Sequence, residues 1–198
     1  MILDVVKFGD PVLRAKGKRI ETITPGIQRF IDDMFETMYH ARGIGLAAQQ
    51  VGQALQITVI DVREATERPS TLELKGQPAD PAELMPMVLI NPEVTPVKTT
   101  TKVAGPEGCL SFPEIFADIS RPEFVDVVAL DRDGKRFEFR CGGLLARAVQ
   151  HETDHLNGIL FTDRMDSDTK ADLKPEIDAL QADTKAAMQK KKKTPPVM

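Results

Sequence analysis

Near residue 150 the chain reads QHETDHLNG, with His151 and His155 four positions apart and Glu152 between them. That spacing puts both imidazoles on one face only if the segment is an α-helix. Leu144, Leu145, Ala148 and Val149 carry the helical period into the motif from Gly142, so a helix is required here. The chain has only 3 histidines, and two of them falling in one HExxH therefore carries information. An imidazole pair with a carboxylate beside it reads as a metal and a base.

The rest of the chain supplies elements for such a helix to pack against. Thr24-Pro25 opens a helix, because Thr caps and Pro is tolerated at the first helical position. Ile27, Phe30, Ile31, Met34 and Met38 follow at helical spacing, and Gly43 and Gly45 end the pattern. Segments 56–62, 87–94, 124–131 and 135–140 are rich in β-branched and aromatic residues and read as strands, with Asp133-Gly134 as a hairpin turn. Residues 64–86 are polar and Pro-rich and read as a surface insertion. A last helix is expected over 168–189, followed by a flexible basic tail over 190–198 that holds Lys190, Lys191, Lys192 and Lys193. The expected fold is α+β: antiparallel strands packed around a central helix carrying HExxH, with a C-terminal helix, in a single domain over 1–198.

At 198 residues the chain is long enough for one sizeable core, and with 41% apolar and 28% charged residues its profile is that of an ordinary soluble protein. A net charge of −4 argues against a nucleic-acid binder by bulk electrostatics. No apolar run reaches the roughly 18–20 residues of a membrane span, and the first residues lack a signal-peptide layout, so a cytoplasmic location without membrane contact is expected. In that compartment Cys109 and Cys141 are expected to stay reduced.

Two imidazoles do not hold a catalytic ion; three protein ligands and one open position are usual. Three sources of a third ligand can be weighed. A histidine six residues beyond His155 would serve, but Phe161 stands there. Glu176 lies at a plausible distance downstream, although its surroundings read as the first turn of an amphipathic helix, where Glu is favoured by the dipole. Cys109, in GPEGCLSFP, is flanked by glycine and proline that indicate a shaped loop, and Cys with two His is a catalytic zinc set. Its bland reading is a small buried apolar residue.

A further stretch, GIGLAAQQVG (43–52), combines glycines that let a ligand approach the backbone with the amide of Gln50. In order, GIGLAAQQVG, EGCLSFP and QHETDHLNG resemble the peptide deformylase family, whose pattern runs GxGLAAxQ, EGCLS, HExxDH. FGDPVLR, INPE (90–93), DRDGK (131–135) and GLLARAVQHE (143–152) extend the resemblance over nearly the whole chain.

The resemblance implies an enzyme that removes the formyl group from the N-terminal formyl-methionine of newly made proteins and releases formate. It makes Cys109, His151 and His155 the ligands of one divalent metal, Fe(II) in the cell, with zinc, nickel or cobalt tolerated. Glu152 would act as general base and then acid on the attacking water. The Gln50 side chain and the Leu110 backbone N–H would stabilise the oxyanion. Ile44, Gly45, Glu107 and Gly108 would pair with the substrate as an added strand, and Leu144, with Ala148, would wall the methionine pocket. Gln49 fills the family's variable position, and Phe112 stands where a smaller aliphatic residue often follows EGCLS. Asp154 is expected to pair with Arg121 behind the helix. The tail lysines are candidates for a weak ribosome contact. Cys141 and His40 are read as structural. The rival readings are an HExxH metallopeptidase and a closed structural metal module, which would need a fourth ligand.

Overall fold

The computed structural model describes residues 1–193, with side chains to Lys190. After a short 3-10 turn, helix α1 (Pro25–His40) starts where Thr24 accepts a hydrogen bond from the Ile27 N–H through its side chain. Strands β1 (Gly45–Ala47), β2 (Ile57–Ile60), β3 (Ser70–Leu74), β4 (Gln77–Ala79), β5 (Met87–Pro96), β6 (Lys102–Cys109), β7 (Phe112–Pro122), β8 (Phe124–Leu130) and β9 (Arg136–Gly142) follow, then helices α2 (Gly143–Leu156), α3 (Ser167–Asp172) and α4 (Lys174–Lys193).

Seven strands form one antiparallel sheet in the order β1-β2-β5-β8-β9-β3-β4, and β6 and β7 form a separate two-stranded sheet. The β8–β9 hairpin turns at Asp133-Gly134, with Gly134 at φ 81. In INPE, Asn91 adopts φ 51 at a register shift in β5, and its amide clasps the backbone of Ile20 at 2.8 Å in both directions.

Helix α2 lies over the large sheet. Leu144, Leu145, Ala148 and Val149 pack with Leu89, Val125, Val127 and Phe139. On another side α1 buries Ile31, Met34 and Met38 against Leu46, Ile57, Val59 and Ile90. A third cluster joins β7 to the C-terminal part of the chain through Phe112, Ile115, Ile119, Leu160, Phe161 and Ile177. The HExxH helix is therefore held between the large sheet and the β6–β7 hairpin.

Residues 64–86 do more than decorate the surface. Ser-Thr-Leu-Glu-Leu alternates, β3 pairs with β9, and Leu72 is buried. Lys75 (φ 52) and Gly76 (φ 74) make the two-residue turn into β4. The same segment caps α2: the N–H of Leu144 donates to the Pro69 carbonyl and that of Leu145 to Ser70 Oγ, both at 3.0 Å. Gly143 (φ +64) makes the sharp entry into α2, since a Cβ there would sit 2.2 Å from that Pro69 carbonyl oxygen.

The single last helix expected over 168–189 is two helices. Pro175 lacks an N–H and fits only a first turn, so α3 stops at Asp172 and α4 restarts around it. Helix α4 continues through Lys193, as lysine's good helix propensity allows; of the tail expected over 190–198, residues 194–198 lie outside the described residues.

Candidate active site

Cys109 comes from the last position of β6, while His151 and His155 project from successive turns of α2. One ligand atom from each lies within 4.8 Å of the others, and no other such cluster of His, Cys, Asp or Glu occurs among the described residues. The Cys109 sulfur is 3.3 Å from His155 Nε2 and accepts a hydrogen bond from Gln50 Nε2 at 3.4 Å. The Gln50 Oε1 in turn accepts from the Ala47 N–H at 2.8 Å, which fixes the direction of the amide.

Behind the ligands stands a buried ionic network. Glu107 Oε2 meets His151 Nδ1 at 2.9 Å, leaving Nε2 for the cluster's centre. Arg121 grips Glu107 with two donors, at 2.6 and 2.9 Å, and donates to Asp154 at 2.8 Å. Arg147 adds a bond to Glu107 at 2.8 Å and donates to the carbonyls of Val103, Gly105 and Ile119; Arg164 closes on Asp154 from outside. Burial opposes charge on Glu107, but Arg121 and His151 outweigh it and hold the carboxyl down at about 2.

The same balance favours positive charge at the centre. Burial lowers the pKa of His151, yet the Cys109 sulfur and Glu107 raise it to about 10; burial and His151 keep His155 neutral. A cysteine sulfur and two rings that jointly call for a cation, with one imidazole already braced by a carboxylate, fit a divalent metal. The Nδ1 of His155 has no comparable brace and is buried without a hydrogen-bond partner among the described residues.

Glu152 is buried one residue from His151, and its Oε2 has no hydrogen-bond partner among the described residues. Burial, reinforced by Glu107 and Asp154 and opposed by His151, lifts its pKa to about 7, where one group can both take and return a proton. It faces a cavity of about 550 Å³ lined on one wall by Gly43, Ile44 and Gly45 and on the other by Pro106, Glu107 and Gly108, with Leu144 and Ala148 in its floor and Leu110 and Gln50 beside Cys109. The two walls are the edge strand β1 with its approach and the edge strand β6.

The remaining sequence candidates fall elsewhere. Glu176 is exposed in the first turn of α4, outside the ligand cluster. Cys141 is a free, buried thiol on β9, in the core of the large sheet, and His40 ends α1. Phe161 packs beside the site: its ring centroid is 6.0 Å from that of His151 and 5.2 Å, edge-on, from Phe112, which itself stacks on Phe8. Sequence reading missed the side chain of Glu107, assigned there only a backbone role, as well as Arg147 and Arg164. An acidic residue beside the candidate cysteine was the available signal for Glu107.

A cysteine sulfur, two imidazoles and a neighbouring carboxylate, open to a cleft between two strand edges, can hold a metal that activates water against a bound amide; the fold and site together define a metal-dependent hydrolase. The family model for polypeptide deformylase matches residues 2–171. A peptide deformylase of Opitutus terrae is 44% identical over 94% of this chain and 97% of its own length, and one of Methylacidiphilum infernorum is 42% identical over 91% and 93%. Among solved structures, a plant peptide deformylase superposes with a TM-score of 0.78 at 37% identity, covering 99% of this chain and 96% of its own; one from Legionella pneumophila gives 0.73 at 35%, covering 98% and 100%. The chain belongs to the polypeptide deformylase family. It is a hydrolase that removes the N-terminal formyl group from newly synthesised polypeptides.

Proposed function

We propose that Cys109, His151 and His155 hold one divalent metal, Fe(II) in the cell, at which the formyl-methionine amide is hydrolysed. The observation that carries this reading is the convergence of those three ligand atoms within 4.8 Å beside a buried carboxylate. Imidazole and thiolate suit zinc, nickel and cobalt as well, so availability decides among them. The chemistry that such a cation supplies is acidification of water, from a pKa of about 15.7 towards about 7.

Glu152 takes the proton from the attacking water and returns it to the departing amine, a role supported by its burial and its unpartnered oxygen. The Gln50 amide and the Leu110 N–H receive the negative charge that develops on the formyl oxygen; losing one such donor costs about 10²–10³ in rate. The backbone of Ile44, Gly45, Glu107 and Gly108 pairs with the substrate between the two strand edges, a mode that tolerates many sequences. Leu144 and Ala148 receive the methionine side chain.

The enzyme works as a single domain in the cytoplasm, where nascent chains are met. No helix among the described residues is long and apolar enough to cross a membrane. The lysines at 190–193 add a weak, salt-sensitive contact to ribosomal RNA. Pelleting with ribosomes at low and high salt, with and without residues 190–198, tests that contact; equal pelleting of both forms would remove it.

The central test is formate release from formyl-Met peptides by anaerobically purified protein, paired with metal analysis. Glu152→Gln should keep its metal and lose deformylation. Cys109→Ser should lose or change its metal; full occupancy and activity in that variant would exclude the cysteine.

A further inference from the structure

The cleft carries charge that neither the ligand cluster nor the ionic network uses. Among the described residues seven charged side chains line it: Lys7, Arg42, Arg68, Glu107, Glu114, Arg147 and Glu152. Glu107 is matched by Arg121 and Arg147, and Arg147 is spent on Glu107 and three carbonyls. Glu152 sits at the inner end. Lys7 donates from Nζ to the Leu110 carbonyl at 2.7 Å, and burial lowers its pKa.

Arg42 and Arg68 stand apart from these. Arg42 is exposed at the turn between α1 and β1, with φ 55, and its guanidinium makes no ion pair or hydrogen bond among the described residues. Arg68 arrives from the segment before β3 and makes one bond, from Nη2 to the Pro106 carbonyl at 3.2 Å, so most of its donors are uncommitted. One therefore flanks the β1 wall and the other the β6 wall; of the acidic lining groups, Glu107 is matched by Arg121 and Arg147 and Glu152 is buried, so the exposed Glu114 is the one that faces them from the rim.

We propose that Arg42 and Arg68 are specificity-determining residues, which favour substrates with an acidic side chain at the second or third position after formylation of the first. The proposal rests on the deformylase reading of the site. A peptide laid between the strand edges advances about 3.3 Å per residue. With its formyl end at Cys109 and its methionine over Leu144, the following residues run out between these two guanidiniums. Each exposed contact of this kind changes binding by a small factor, about 1.5- to 5-fold, and high salt screens it.

The test uses the metal-loaded, full-length enzyme and C-terminally amidated formyl-Met tripeptides and tetrapeptides with Asp, Ala or Lys at position two or three. Formate release gives kcat and KM separately. Expected is a preference of Asp over Lys of about three- to tenfold in kcat/KM, carried by KM, that shrinks at about 0.5 M salt. Arg42→Gln with Arg68→Gln should flatten the Asp/Lys ratio, and Arg42→Glu with Arg68→Glu should invert it. Equal rates on Asp and Lys peptides in the unmodified enzyme, or a preference that survives both double substitutions, would overturn the proposal while formate from the Ala peptide still upheld deformylation. Absence of formate from every peptide would overturn the deformylase reading and the proposal together.

Discussion

Gly45 and Glu152 touch so closely that a Cβ on Gly45 would lie 2.4 Å from Glu152 Oε1. The glycine on the edge strand β1 thus sets the seat of the carboxylate on α2, apart from any pairing its backbone makes. With Glu152 as the proposed base, Gly45→Ala should push it aside and lower kcat by about 10²-fold, the usual consequence of misplacing a reacting group by an ångström. Metal content should be unchanged, because Cys109, His151 and His155 keep their places. Assay of kcat alongside metal analysis checks both halves.

Glu107 should matter to metal affinity more than to substrate. It orients His151, and loss of such a partner costs about 10–100-fold in metal binding. Competition with a chelator should show Glu107→Gln releasing metal more readily. Its carboxyl titrates at about 2 in the fold against an ordinary 4.5. A depressed folded value means a contribution that is complete above pH 4.5 and lost as the pH falls towards 2. Denaturation followed from pH 6 to pH 2.5 should therefore show a shallower loss of stability in Glu107→Gln than in the unmodified chain.

Arg121 is the junction between the β6–β7 hairpin and α2, since among the described residues it alone bonds both Glu107 and Asp154. Arg121→Met strips one partner from two buried carboxylates, each of which keeps another, in Arg147 and Arg164. Breaking buried pairs costs about 3–5 kcal/mol, and the remaining partners place this variant near 3. A denaturant midpoint that does not move would contradict the role.

Phe161 occupies the place where another kind of HExxH protein would have a third histidine, and it works through packing. Phe161→Ala empties the contact with Phe112 and His151 and should lower stability by about 3–5 kcal/mol. Phe161→Leu, which refills most of that volume, should recover more than half of the loss in the same urea titration.

The parts legible in the sequence were those set by local pattern. The period leading into QHETDH required α2, Thr24-Pro25 marked the start of α1, and alternation with a DG turn gave β8 and β9. The β6–β7 hairpin stayed hidden because KVAGPEGC has no apolar alternation, and the inward row of β7 holds Ala117 and a buried Arg121. Arg121 is buried only because the register of two strands and a helix brings Glu107 and Asp154 to it, information that no local window contains. Likewise β3 takes its place from pairing with β9 across a long stretch of chain. The three candidate ligands could be named from motif order, but their braces depend on tertiary contacts.

Cys109 belongs to the small sheet, and both histidines ride on a helix bedded on the large one. An ion gripped by all three is consequently a rivet through two layers, and the groove it serves opens between the rims of those same layers. Stripping it with a chelator would remove a tie between those layers, so the reactant's grip and the ion's retention should rise and fall as one mechanical property.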